Sequence, residues 1–138
     1  MHKSYLVENL EALPQVAQQI NSDLEHSLVL LVGDLGAGKT TLTKELIALR
    51  GCVDAGSSPS YSIINQYMLK TGGKLYHIDL YRINTPEEAF SLGLEDIIYS
   101  GQLCLVEWPQ IVYDYLEEPY HIIKIEVNPN NKRLITLS

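Results

Sequence analysis

Eight consecutive residues, Gly33-Asp34-Leu35-Gly36-Ala37-Gly38-Lys39-Thr40, fit the phosphate-binding pattern G-x-x-x-x-G-K-[ST]. The residue types dictate the chemistry. Glycines let backbone N–H groups turn inward around an anion, and a helix N-terminus behind them adds favourable partial charge. Lys39 then reaches the β- and γ-phosphates, and the Thr40 hydroxyl, with Thr41 next to it, sits where Mg²⁺ binds. Two further acids end apolar stretches: Asp79 follows Leu75-Tyr76-His77-Ile78, and Glu107 follows Leu103-Cys104-Leu105-Val106. Ligands of open α/β sheets bind beyond the C-terminal ends of parallel strands. An acid at such an end holds Mg²⁺ or its water, or orients the attacking water. Asp34 is a third acid. Near phosphates it is repulsive unless it turns outward or acts on water, and both roles stay open.

Other residues carry weaker signals. Ser57-Ser58-Pro59-Ser60-Tyr61 lies where P-loop hydrolases often bring a hydroxyl to the γ-phosphate or its metal. Ser60 is the candidate and Ser58 the second, against a plain Ser-Pro turn. Trp108, the one tryptophan, stands beside Glu107, to stack on a base or a partner or simply to pack. His77 alternates with Asp79, which lets both face the same side; a core or a hydrogen-bonded histidine is the favoured reading over a catalytic one. Arg82 pairs with phosphate or an acid, or makes a surface ion pair.

These groups need strands and helices to position them. The run Leu28–Val32 reads as a buried strand, the glycine loop follows, and Thr41 to Arg50 is an amphipathic helix ended by Gly51. Upstream, residues 2–7 make a short edge strand. Leu10, Leu13, Val16, Ala17, Ile20 and Leu24 recur at helical spacing, with Asn9 as N-cap and Pro14 moving the regular helix to near residue 12. Downstream, Tyr61–Leu69 and Leu75–Leu80 form a hairpin around Thr71-Gly72-Gly73-Lys74. Thr85-Pro86-Glu87-Glu88 opens a helix, interrupted by Leu92-Gly93-Leu94, with another helical turn from Glu95 to Ser100. Leu103–Val106 is a buried strand, 110–116 a short helix, and Tyr120–Val127 and Arg133–Leu137 are strands joined by a turn at Asn128–Asn131. The fold class is therefore α/β: P-loop NTPase-like, with a mixed, mostly parallel central sheet flanked by helices and an inserted antiparallel hairpin. Residues 1–138 read as a single P-loop ATPase domain.

Composition narrows the function. The net charge of -7, from 10 Lys+Arg against 17 Asp+Glu, argues against a direct grip on a nucleic-acid backbone. Cys52 and Cys104 have no metal-like spacing. No apolar run spans a bilayer and the N-terminus lacks a signal-peptide core, so the expected location is the cytoplasm, with no membrane partner.

Together, the P-loop with Thr41, Ser58-Pro59-Ser60-Tyr61, Tyr76-His77-Ile78-Asp79-Leu80-Tyr81-Arg82 and Val106-Glu107-Trp108-Pro109 resemble the TsaE (YjeE) family, small bacterial ATPases of tRNA threonylcarbamoyladenosine synthesis. Ser91-Leu92-Gly93-Leu94 resembles a further element of that family. The resemblance runs in order from about residue 28 to 110, and beyond residue 112 no motif matches. It implies ATP or ADP with Mg²⁺, slow hydrolysis, and action with TsaB and TsaD, where TsaD transfers the threonylcarbamoyl group; tRNA is then met only indirectly. By the same resemblance, Lys39 and Thr40 are phosphate and Mg²⁺ ligands and Ser60 lies in a switch-like loop. Asp79 is a Walker-B-like acid, Glu107 a metal or water-orienting acid, and Trp108 lies beside the nucleotide. Many members have Thr where this chain has Ser60, which keeps the hydroxyl and loses a methyl group.

Rival readings differ in what they require. A GTPase needs Asn-Lys-x-Asp, and Asn131-Lys132-Arg133-Leu134 has Leu in place of the acid. A small-molecule kinase needs arginines to clamp a second substrate, and there are three, Arg50, Arg82 and Arg133. A nucleotide-dependent binding module with vestigial hydrolysis differs from a slow ATPase only by degree. For the adenine, the junction near Asn9 and the turn near Asn131 are topologically available, and Asn9 is the candidate.

Overall fold

The computed structural model describes residues 2–52 and 63–138. Its elements run β1 (Lys3–Val7), a 3₁₀ turn (Leu10–Ala12), α1 (Leu13–Asp23), β2 (Leu28–Gly33), α2 (Lys39–Leu49), β3 (Ile64–Met68) and β4 (Lys74–Asp79). They continue with α3 (Pro86–Phe90), α4 (Leu94–Ile98), β5 (Leu103–Glu107), a 3₁₀ helix (Pro109–Tyr115), β6 (His121–Val127) and β7 (Arg133–Leu137). All seven strands join one sheet in the order β1-β7-β6-β2-β5-β4-β3. The four inner strands β6, β2, β5 and β4 are parallel, and β3 and β7 run antiparallel to their neighbours, as does β1.

Local chemistry accounts for most boundaries. Asn9 caps the first turn, its Oδ1 accepting from Ala12 N at 3.0 Å, and Pro14 sits in the first turn of α1, where a missing N–H costs nothing. Thr85 Oγ1 accepts from Glu88 N at 3.1 Å, and Pro86 occupies the first position of α3. The segment expected as a short helix over 110–116 is a 3₁₀ helix beginning at Pro109. Its Ile-Val-Tyr run favours the α-helix poorly, which suits a tight, short helix.

The sheet separates two cores. Beneath α1 and α2 lie Val29, Leu31, Leu75, Leu105, Ile123 and Ile125. On the other face Leu30, Ile78, Cys104 and Val106 meet Ala89, Leu94, Ile98 and Val112 from α3, α4 and the 3₁₀ helix. The hairpin is more than an insertion, because its return strand β4 pairs in parallel with β5 and belongs to the inner sheet. Asp79 consequently ends a parallel strand, in register with Glu107.

Gly33, the last residue of β2, turns the chain into the glycine loop against β6. Its φ is +156°, and a Cβ built there would lie 2.7 Å from the Ile125 carbonyl oxygen. Gly33→Ala is expected to cost about 2–3 kcal/mol through this backbone clash, a fall of roughly 10 °C in Tm for a chain of this size. Thermal denaturation checks it; an unchanged Tm would mean that β6 yields freely.

Candidate nucleotide-binding site

The glycine loop has the conformation its sequence demands. Gly36 and Gly38 adopt φ of +82° and +109°, values that side chains rarely tolerate. Gly38 is the N-cap of α2, so the unpaired N–H groups of the first helical turn open toward the loop. Asp34 is exposed, and its carbonyl accepts from Ala37 N at 3.0 Å, which closes the turn.

Lys39 is 5% exposed despite its charge. Its Nζ donates to the Gly33 carbonyl and, at 3.3 Å, to that of Asp34, and it lies 3.6 Å from the centroid of the Trp108 ring. Burial pushes this ammonium below the ordinary lysine value, and the Glu107, Asp34 and Asp79 carboxylates oppose that shift. Trp108 reaches it from a left-handed backbone, φ 55° and ψ 55°, uncommon for a bulky residue. The Tyr81 ring packs against Trp108 at 4.9 Å between centroids.

Glu107 links the strand end to the loop. It is 2% exposed; Thr40 Oγ1 donates to its Oε1 at 3.0 Å, and His77 Nε2 lies 2.6 Å from its Oε2. Asp79, one strand further out, is half-buried, and its Oδ1 accepts from Tyr81 N at 3.0 Å. Among the described residues no group of three His, Cys, Asp or Glu side chains forms a metal cage. The Thr40 hydroxyl and the Glu107 and Asp79 carboxylates are all hard oxygens. They fit Mg²⁺, which takes one or two carboxylates and completes its shell with phosphate oxygens and water.

Two cavities flank the loop and share Gly36, Gly38 and Thr41 as their common wall. The smaller, about 270 Å³, holds Lys39, Thr40, Asp79, Tyr81, Glu107 and Trp108. The larger, about 490 Å³, is lined by Asn9, Leu10, Leu13, Ile125, Asn131 and Arg133 with their neighbours. Its size falls within the range of small-molecule sites. Asn9 and Asn131 meet there because β1 pairs with β7. Arg133 Nε donates to the Ala37 carbonyl at 3.3 Å, tying this cavity to the loop.

The structure thus brings Gly33, Leu35, Gly36, Ala37, Gly38, Lys39, Thr40, Thr41, Asp79, Glu107 and Trp108 around the loop, with Asn9 at the larger cavity. It seats Trp108 over Lys39 in the smaller cleft, away from the larger cavity where a base has room. Ser58 and Ser60 lie outside the described residues. Arg133 is not among the expected site residues, the turn near Asn131 is expected only as topologically available, and His77, expected as a core or hydrogen-bonded residue, is hydrogen-bonded to Glu107. Their signals were slight: a turn near the last strand, and the alternation of His77 with Asp79.

A family model described as threonylcarbamoyl adenosine biosynthesis protein TsaE matches residues 7–135. The tRNA threonylcarbamoyladenosine biosynthesis protein TsaE of Rickettsia felis is 36% identical over 136 residues, covering 96% of this chain and 77% of the relative. Its counterpart from Bacillus subtilis is 36% identical over 110 residues, 78% of this chain and 66% of the relative. The crystal structure of Bacillus subtilis YdiB superposes with a TM-score of 0.75 at 29% identity, covering 99% of this chain and 84% of that one. With a family model matched along nearly its whole length and relatives this similar, the chain belongs to the TsaE family of tRNA threonylcarbamoyladenosine biosynthesis.

Proposed function

We propose that this chain is a Mg²⁺-dependent ATPase of tRNA threonylcarbamoyladenosine biosynthesis, whose hydrolysis serves a complex of TsaB and TsaD. The observation that carries the reading is the 3.0 Å contact of Thr40 with Glu107, which joins the hydroxyl of the phosphate loop to a buried strand-end acid. In this reading Mg²⁺ polarises the phosphoryl oxygens when bound. The loop N–H groups and Lys39 hold the phosphates, and Thr40 and Glu107 present oxygens to the metal. Asp79, set beside them in the cleft, orients water. The larger cavity takes the nucleoside, with Asn9, Asn131 and Arg133 as its polar groups.

The placement of arginines speaks against a kinase. Arg50 Nε donates to Asn21 at 2.8 Å, Arg133 lines the larger cavity, and no arginine lines the smaller cleft among the described residues. A kinase would need such a clamp for its second substrate.

The test is ATP turnover by the purified chain alone and with TsaB and TsaD added. Slow basal hydrolysis that the two proteins stimulate is the expected result. Stimulation by a small metabolite instead, or no Mg²⁺-dependent hydrolysis in either setting, would overturn the proposal.

A further inference from the structure

At 2% exposure the Glu107 carboxylate is oriented by its protein neighbours. Thr40 engages Oε1 and His77 engages Oε2. An ionised carboxylate only accepts hydrogen bonds, so this contact holds His77 with its hydrogen on Nε2. Strand register explains the reach. His77 stands opposite Leu105, two residues before the Asp79–Glu107 pair, and the period of two puts all three polar side chains on the face of α2. On the next strand Asn65 is in register with His77 and only 8% exposed, which walls the histidine on its outer side. Its side-chain oxygen has no hydrogen-bond partner among the described residues. A row Asn65–His77–Glu107–Thr40 therefore crosses from the outer strand to the phosphate-loop helix, and of its members only Glu107 and Thr40 line the cleft.

We propose that His77 is a positioning residue that holds the Glu107 carboxylate toward Thr40, so that Mg²⁺ meets an oxygen pair already in place. The inference rests on the reading of Glu107 as a metal acid. His77 acts through Glu107 and touches neither nucleotide nor metal. Partners of metal-ligating groups typically set metal affinity by about 10–100-fold.

The experiment titrates the full chain with ADP by calorimetry, in EDTA and over a series of MgCl₂ concentrations. It compares wild type, His77→Ala, His77→Gln, Glu107→Gln and the double variant His77→Ala/Glu107→Gln. In EDTA wild type, His77→Ala and His77→Gln are expected to bind ADP within about twofold of one another, because His77 does not line the cleft, whereas Glu107→Gln and the double variant lose a charge at the cleft and are compared with each other. With Mg²⁺, the concentration giving half of the tightening should rise about tenfold or more in His77→Ala. His77→Gln, whose amide N–H replaces the Nε2–H donor, should recover most of that loss. In the Glu107→Gln background His77→Ala should add nothing, since its route is gone.

An unchanged Mg²⁺ response in His77→Ala overturns the proposal. Equal weakening with and without Mg²⁺ also overturns it, because that marks general support of the fold. So does a folded His77→Gln no better than alanine, or an undiminished His77 effect when Glu107 is already Gln. If His77→Ala does not fold, His77→Asn takes its place, being polar but too short to reach Oε2. A wild-type chain whose ADP binding ignores Mg²⁺ defeats the reading of Glu107 itself, whereas a responsive wild type with an unaffected variant defeats only the role of His77.

Discussion

Lys39→Ala is expected to abolish measurable nucleotide binding while leaving the chain folded. The Lys39 ammonium is held at the loop by the Gly33 and Asp34 carbonyls and by the Trp108 ring, within the cleft that the phosphates would fill. A phosphate offers this cation a full negative charge where the carbonyls offer only dipoles, so bound nucleotide takes over its hydrogen bonds. Two charge-assisted bonds at about 1.5–3 kcal/mol each correspond to a loss of a hundredfold or more in affinity. Stability should move far less. Burial already disfavours the charged form of Lys39, and alanine suits the first turn of α2. Calorimetric titration with ADP and a thermal melt check the two halves together. Unchanged affinity would make the glycine loop an ordinary turn, and a collapse of Tm would make Lys39 a structural residue.

The contrast between Lys39 and His77 shows which parts of this site are legible in a sequence. Lys39, Thr40 and the glycines are neighbours in the chain, and their local conformation follows from residue type; Gly36 and Gly38 take positive φ because glycine alone does so without cost. Helix starts are equally local, as the side-chain caps at Asn9 and Thr85 illustrate. Pairings across strands carry no such local mark. That Asp79 stands beside Glu107, and that His77 reaches Glu107, depends on β4 joining β5 in parallel, which a hairpin signature does not reveal. The larger cavity is the extreme case. Asn9 and Arg133 stand at opposite ends of the chain and meet because β1 closes on β7. Both the turn near Asn131 and the junction near Asn9 were topologically open, and only the sheet order places the two at one cavity.

Glu107→Gln is expected to lower ATP turnover at saturating Mg²⁺ by about a hundredfold or more, with KM for ATP within a few-fold of wild type. Glutamine preserves the shape of a side chain that is 2% exposed, and its one oxygen can still accept from Thr40, while its NH₂ group faces His77, whose Nε2 accepts from it in the other tautomer. What disappears is the negative charge that the proposal sets beside Mg²⁺. In the ground state the loop N–H groups and Lys39 carry most of the hold on the nucleotide, so affinity should survive. In the proposed phosphoryl transfer, charge redistributes over the phosphoryl oxygens, and a Mg²⁺ held by Thr40 and Glu107 would depend most on an anionic, preoriented carboxylate there. Alanine at this position is a poorer probe, because it would leave Thr40 and His77 facing an empty space. Steady-state turnover, with ADP affinity measured on the same protein, separates the possibilities. A rise in KM with unchanged turnover would mark Glu107 as a ground-state binding group. Full activity in the glutamine variant would shift the acid's role to Asp79, which stands in register beside it in the same cleft.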